Sequence, residues 1–357
     1  MQEISESLTP QIRKLENQTI KKIANLVSKG VSPEYELELL YRLGYDLDQI
    51  EKELNKQMDH ITTEMKLTIE KGIQDAYDMD VNLYKRGGKI LNNPQAIRMA
   101  ETLAERSLNE FINLTRTSGM VFNNKFVSMD NYLYTVLDNS FLKVSSGLFD
   151  YNDAIAAAVR ELGNEGIRYM HYSSGRRISI EAAVRSNLLT TLSQVTGKMS
   201  EMNADEMDQD LMQISSHQGA RPSHQVWQGD IVSRSGKRGY LDLSDIGYGD
   251  SAGFKGVNCR HDWYPYFEGI SIPFEKTVEP DGIEWEGQEL SFYECTQKQR
   301  SYERNMRKTI RKINAFEGAK DDKNLAIENI RFRDQYNKYK AFSNKAKLPL
   351  QTERLIV

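Results

Sequence analysis

Cysteine is nearly absent: the 357 residues hold two, Cys259 and Cys295. Two thiols cannot make a disulfide scaffold, and so small a supply suits folding in a reducing cytoplasm. An excess of basic charge is missing as well. Lys and Arg number 47 against 51 Asp and Glu, a net charge of −4, which removes the global electrostatic footprint of a nucleic-acid-binding protein. No window reaches the roughly 20 apolar residues that a membrane span needs. The opening segment, MQEISESLTPQIRKLENQTIKK, is charged throughout and does not read as a signal peptide. What remains is ordinary for a soluble protein, 39% apolar and 27% charged, in a length that admits two or three domains with a real core.

The first two hundred residues carry helical periodicity. SPEYELELLYRLG opens with Ser32 as an N-cap and Pro33 at the first helical position, with Tyr35, Leu37, Leu39, Leu40 and Leu43 on its apolar side. After Asp46, Ile50, Leu54, Met58, Ile61, Met65, Ile69 and Ile73 recur at threes and fours until Gly87 and Gly88 stop the run. Asn93 and Pro94 then start a helix with Ala96, Met99, Leu103, Leu108, Phe111 and Leu114 on one side. Stripes this narrow on polar helices point to an elongated helical region over residues 1–125, completing its burial against itself or a partner.

A second block follows. MDNYLYTVLDNSFLKVSSG and DYNDAIAAAVRELGNEGI read as helices ended by glycine, YMHYSSGRRI as mixed strand and turn, and SIEAAVRSNLLTTLSQVTGKMSEM as a helix capped by Ser179. Alternation then appears in DLMQISSH, with Leu211, Gln213 and Ser215 on one side and Met212 and Ile214 on the other. HQVWQGDIVS reads as a second extended piece, the glycine-dense residues 233–256 as loop, and VNCRHDWYPYF as a strand and aromatic corner. The expected class is therefore α+β: the helical region 1–125, a domain over 126–290 that turns β-rich near residue 210, and a helical, basic segment over 291–357.

Chemistry concentrates around the motif GARPSH. His217, His224 and His261 lie within forty-five residues, and Cys259 stands two before His261, a spacing that puts both on one face of a strand. Four such donors suit tetrahedral zinc. The spacing matches no established zinc module, and histidines in turns also serve by bonding the backbone. A Cys259–His224 catalytic pair lacks any sign of an oxyanion hole. Glu284 and Glu286 form a Glu-x-Glu pair which, with Ser173, Ser174, Arg176 and Arg177, matches the residue types by which ADP-ribosyltransferases hold NAD. Acids alternating on an exposed hairpin are the simpler explanation of the pair, and the Ser-Ser-Gly reads as a turn.

Four stretches occur in a telling order: YMHYSSGRRISIEAAVRSNLLTTLSQVTGKM, SSHQGARPSHQVWQGDIVS, GVNCRHDWYPYFEGIS and YECTQKQRSYERNMRKTIRK. Together they resemble the phage minor capsid protein 2 family of phages and prophages of Gram-positive bacteria, relatives of the phage Mu F-like minor head proteins. The resemblance covers most of the chain from about residue 130. Many Mu F-like relatives carry Cys-Arg-Cys where this chain has Cys259-Arg260-His261, an exchange that keeps a metal-ligating side chain. The resemblance implies a structural virion component and no enzyme. It would be assembled in the host cytoplasm and held inside the capsid near the portal, with the portal protein, the major capsid protein and packaged double-stranded DNA as partners. It also implies a small β-rich Mu F-like domain.

In that setting GARPSH is architectural. Gly219 permits a turn, Pro222 biases Arg221 to extended geometry, and His224 locks the loop against Trp227. Trp263, Tyr264, Tyr266 and Phe267 read as core and rim. Near the C-terminus Lys298, Arg300, Arg304, Arg307, Lys308, Arg311 and Lys312 crowd one helix, with Tyr302, Met306, Ile310 and Ile313 as its apolar stripe. The basic faces are expected to meet phosphate or an acidic partner unless they are merely solvated.

Overall fold

The computed structural model describes residues 2–30, 37–145, 150–171, 174–256 and 259–355. Ser32, Pro33, Tyr35 and Ser173 lie outside them. The class is α+β. In chain order come α1 (Gln2–Gly30), α2 (Leu37–Arg86), α3 (Pro94–Thr115), β1 (Ser118–Phe122), β2 (Lys125–Ser128), α4 (Met129–Ser145) and α5 (Tyr151–Glu165). Next are β3 (Ile167–His171), β4 (Arg176–Ser179), α6 (Ile180–Glu206), β5 (Leu211–Ile214), α7 (Pro222–Gln225), β6 (Ile231–Ser233) and β7 (Trp263–Pro265). The hairpin β8 (Ile283–Trp285) and β9 (Gln288–Leu290), then α8 (Phe292–Ala319), α9 (Asp322–Lys345) and a 3-10 turn (Thr352–Arg354) complete them.

Two compact units result, each gathered from distant segments: Glu64–Asn109 with Ser186–Gln297, and Gln2–Thr63 with Glu110–Arg185 and Lys298–Val357. They cut across the expected boundaries at 125/126 and 290/291, because α2, α3, α6 and α8 each give residues to both. The stripe of α2 from Leu43 onward is buried, apart from the half-buried Ile50. Leu43, Leu47, Leu54, Met58 and Ile61 are enclosed in the second unit, and Met65, Ile69, Ile73 and Tyr84 in the first. In α3 the enclosed line is Ala96, Ala100, Ala104, Leu108 and Phe111, while Met99 faces outward. The chain thus covers these stripes itself, the first of the two expected outcomes, since segments far along the sequence supply the missing surface.

The second unit is built on an antiparallel sheet of order β2-β1-β3-β4. Its first hairpin turns at Asn123 and Asn124, both left-handed at φ 49 and 61, the geometry of a two-residue hairpin loop. Helices α4 and α5 pack on β1 and on each other, and α1 packs on both. Ile12, Ile20, Ile23, Ala24 and Val27 of α1 are fully enclosed. A Cβ at Gly318 of α8 would strike the carbonyl oxygen of Lys21, so backbones approach closely there.

Through this core runs a set of ion pairs. Arg13 of α1 meets Glu181 at 2.9 Å, and Arg307 of α8 meets the same carboxylate at 3.3 Å and Glu303 at 3.9 Å. Arg354 reaches Glu303 at 3.8 Å, Arg311 reaches Glu16 at 3.8 Å, and Lys312 reaches Glu328 of α9 at 2.9 Å. All four carboxylates are at most 13% exposed. Burial pushes Glu181 up, but Arg307 and Arg13 outweigh it and hold the carboxyl below its ordinary value. At Glu16 and Glu303 burial wins and the shift is upward.

In the first unit the C-terminal part of α2 lies against α6; a Cβ at Gly72 would come within 2.6 Å of Leu192. Asn93 caps α3, its Oδ1 accepting from the Ala96 amide at 3.1 Å, as the sequence predicts. Strands β6-β5-β7 form an antiparallel sheet with β5 central. All four residues of β5 are buried, so the expected two-faced alternation gives way to a strand enclosed on both sides. Gln213 is tolerated there because its amide donates to the carbonyls of Gly229 (3.0 Å) and Phe274 (3.2 Å) and accepts from the Phe274 amide (2.9 Å). The segment HQVWQGDIVS, expected to be extended, begins instead with the short α7, because Pro222 suits a first helical position; only its end is strand.

Asp80 on α2 is 5% exposed and accepts from Asn203 of α6 at 2.9 Å. Burial lifts its carboxyl to about 6, Asp262 adds to the rise, and Asn203, Ser200 and Lys255 oppose it.

Two outcomes follow from these buried charges. Arg307→Met should lower the stability of the full chain by about 3–5 kcal/mol, because it strips Glu181 and Glu303 of a partner. Arg304→Met, on the exposed side of the same helix, should cost no more than about 0.5 kcal/mol; calorimetric melting of the two variants compares them. For Asp80 the folded value lies above the unfolded one near 3.8, so the native state holds the proton first. Stability should fall as pH rises from about 4 to 6, by up to about 3 kcal/mol, and level off above. Asp80→Asn should flatten that part of a pH–melting curve, and an unchanged slope would refute the assignment.

Candidate functional site

The motif GARPSH folds into a tight entry to α7. Gly219 is left-handed at φ +70, and its amide meets both carboxylate oxygens of Glu279 at 3.0 Å. Arg221 is extended at φ −63, ψ 148, as a residue before proline must be. Pro222 then starts the helical turn, and the His224 amide donates to the Arg221 carbonyl at 2.8 Å. This delivers His224 and Trp227 into the core of the β-rich part, made by Met212, Ile214, Val232, Phe254 and Trp263 among others. The His224 and Trp227 rings lie 4.5 Å apart.

Residues 234–262 between β6 and β7 form no named strand or helix among those described. Their far end brings Cys259 and His261 to His224, and all three are buried. The Nδ1 atoms of His224 and His261 are 3.4 Å apart, and the Cys259 Sγ lies 3.9 and 3.7 Å from them. Each outer nitrogen has an oxygen partner: His224 Nε2 donates to the Ala252 carbonyl at 2.8 Å, and His261 Nε2 meets Gln228 Oε1 at 3.1 Å. Burial holds His261 far below the usual imidazole value, at about 3, with His217, His224, Arg221 and Arg260 adding repulsion; His224 is lowered for the same first reason. Both rings are therefore neutral at pH 7.

His217 stands beside this group. Its ring stacks on that of His261 at 4.5 Å and 22°, its Nδ1 lies 3.1 Å from the Gln218 carbonyl oxygen, and its Nε2 is enclosed without a hydrogen-bond partner. Three of the four expected ligands thus share one centre, with the fourth against them. Trp263 is core, stacked on Tyr248 at 5.4 Å, while Tyr264 and Phe267 are half-buried, meeting Phe274 at 5.7 Å and Tyr84 at 5.9 Å. Gln228 carried no recognisable sequence signal, yet it is the side chain that orients His261.

The basic helix differs from expectation. Arg307, Arg311 and Lys312 face inward and are spent on Glu181, Glu303, Glu16 and Glu328. Their acids come from α1, α6 and α9 as well as α8, beyond the reach of the run itself. Arg300 is half-buried; Arg304 and Lys308 are exposed. Of the expected stripe, Met306 is enclosed and Tyr302 packs on Phe342 at 5.4 Å.

Glu284 and Glu286 belong to the β8–β9 hairpin of the first unit. Glu286 and Gly287 are its turn, with φ 52 and 78. Arg176 and Arg177 belong to β4 of the second unit.

Comparison with known proteins gives the class first. The chain is similar to a structural protein of Lactococcus phage LL-H, 25% identical over a 301-residue alignment that covers 80% of this chain and 78% of that one. It is also similar to a structural protein of Lactococcus phage mv4, 41% identical over 69 residues, 19% of this chain and 51% of the relative. No solved structure matches. The family described as phage minor capsid protein 2 matches residues 6–344, and the chain belongs to it.

Proposed function

We propose that this phage minor capsid protein sits at the portal or on the inner capsid wall and assists head assembly, DNA packaging or DNA delivery. The family match over residues 6–344 carries the reading. The portal protein, the major capsid protein and packaged double-stranded DNA are its proposed partners. The role is structural, without turnover; a Glu-x-Glu pair that ends in a hairpin turn supports this. No described helix is long and apolar enough to cross a membrane. Arg304 and Lys308, exposed one turn apart on α8, are the groups proposed to meet phosphate, with Arg300 beside them. So few cations make a weak, sequence-independent contact, with a salt slope of about −2.

Mass spectrometry of purified proheads and full heads should find the protein in few copies per particle, and its absence from both would overturn the reading. Replacing Glu286 by Asn, which keeps the left-handed turn, should leave phage titre unchanged; a large loss of titre with normal particles would instead favour ADP-ribosyl transfer. The double variant Arg304→Gln/Lys308→Gln should abolish low-salt DNA retention by the full chain while its melting temperature stays put. Undiminished retention would move the contact elsewhere.

A further inference from the structure

The group around His224 has a hydrogen-bonding problem that fixes what belongs in it. The backbone amide of His217 donates to Gln228 Oε1 at 3.1 Å, so that atom is the oxygen of the amide. His261 Nε2, also 3.1 Å from this oxygen, must then carry its proton. The Ala252 carbonyl fixes the proton of His224 on Nε2 in the same way. Both Nδ1 atoms are therefore bare lone pairs, buried and facing each other across 3.4 Å. The Cys259 sulfur is the third member, and its single proton can serve only one nitrogen. A buried acceptor left without a donor is costly, and here two acceptors share one thiol proton.

We propose that His224 Nδ1, Cys259 Sγ and His261 Nδ1 bind a zinc ion that is structural. Tetrahedral zinc, with bonds of about 2.0–2.1 Å to nitrogen and 2.3 Å to sulfur, sets its nitrogens about 3.3 Å apart and nitrogen and sulfur about 3.6 Å apart. The protein shows 3.4 Å, and 3.7 and 3.9 Å. Ligating histidines donate their other ring nitrogen to an oxygen, which fixes tautomer and ring orientation; Ala252 and Gln228 already play that part. The mixed donor set of two imidazoles and one thiolate favours zinc over calcium or magnesium, which take oxygen ligands. Binding releases the Cys259 proton to solvent and leaves a thiolate on the metal. The fourth position falls to His217 Nε2, enclosed and without a partner beside the cluster, once its ring turns from its stack on His261. The ion would tie the α7 turn to the far end of the long segment between β6 and β7. Its enclosure among Trp227, Phe254 and Trp263 suits a closed structural site.

Elemental analysis of the full-length protein, purified without chelator and dialysed against trace zinc, should give close to one zinc per chain. Chelation should lower the melting temperature and zinc should restore it. Replacement by cobalt should produce the visible bands of a tetrahedral site with a thiolate-to-cobalt charge-transfer band. Cys259→Ser should lose that band and weaken zinc binding at least about 100-fold, while Cys295→Ser keeps both. Should Cys259→Ser fail to fold, the chelator, zinc and cobalt measurements on the unaltered chain decide alone. Substoichiometric metal after zinc exposure, with melting indifferent to chelator, would overturn the site, as would cobalt spectra that lack thiolate character.

Discussion

Carboxylates that leave water must find cations, and in the second unit this requirement decides which segments meet. Glu16 lies on α1, Glu181 at the start of α6, Glu303 on α8 and Glu328 on α9. Their partners are Arg311, Arg13 with Arg307, Arg354 with Arg307, and Lys312 with Arg331. Apolar burial is non-directional and would accept many registers of helix against helix. A charge without its partner costs several kcal/mol, so the pairs select one arrangement from those that burial alone would allow. The amide of Ile167, at the head of β3, also donates to Glu16 at 3.2 Å, which ties sheet to helices by the same means.

Much of the helical framework was legible because it is local. The stripe of α2, the Asn93 cap and the Ser179 cap, whose hydroxyl accepts from the Ala182 amide at 3.3 Å, depend on residues three or four apart. Strands β1 and β2 went unread although the signal was present: Asn123-Asn124 between two apolar runs is a hairpin turn written in the residues that best tolerate left-handed backbone. The inward face of α8 was illegible for a different reason. Arg307 and Arg311 look like surface charge until residues 126 and 295 positions away are brought beside them, and periodicity holds no information at that range. Gln228 is silent for the same reason, since only the fold shows that it faces His261.

The functional reading rests on two kinds of support that do not overlap. Family membership assigns the chain to phage heads and says little about atoms. The geometry says what the side chains do and little about the particle. They meet in the basic helix, where a resemblance invites a broad DNA-binding face and the ion pairs turn Arg307, Arg311 and Lys312 inward. A basic helix with so few outward cations would lean on specific subunit contacts more than on general attraction to DNA.

The discontinuous build of the second unit also has a consequence in time. Arg13 donates to the backbone carbonyl of Glu353, 340 residues later, and Glu16 waits for Arg311. At the pace of translation, about 5–20 residues per second, α1 therefore leaves the ribosome roughly 20–70 s before its last partner exists. During that interval its enclosed face, from Ile12 to Val27, has at most the cover of α4 and α5. The nascent chain should lean on host chaperones until α8 and the C-terminal turn complete that cover.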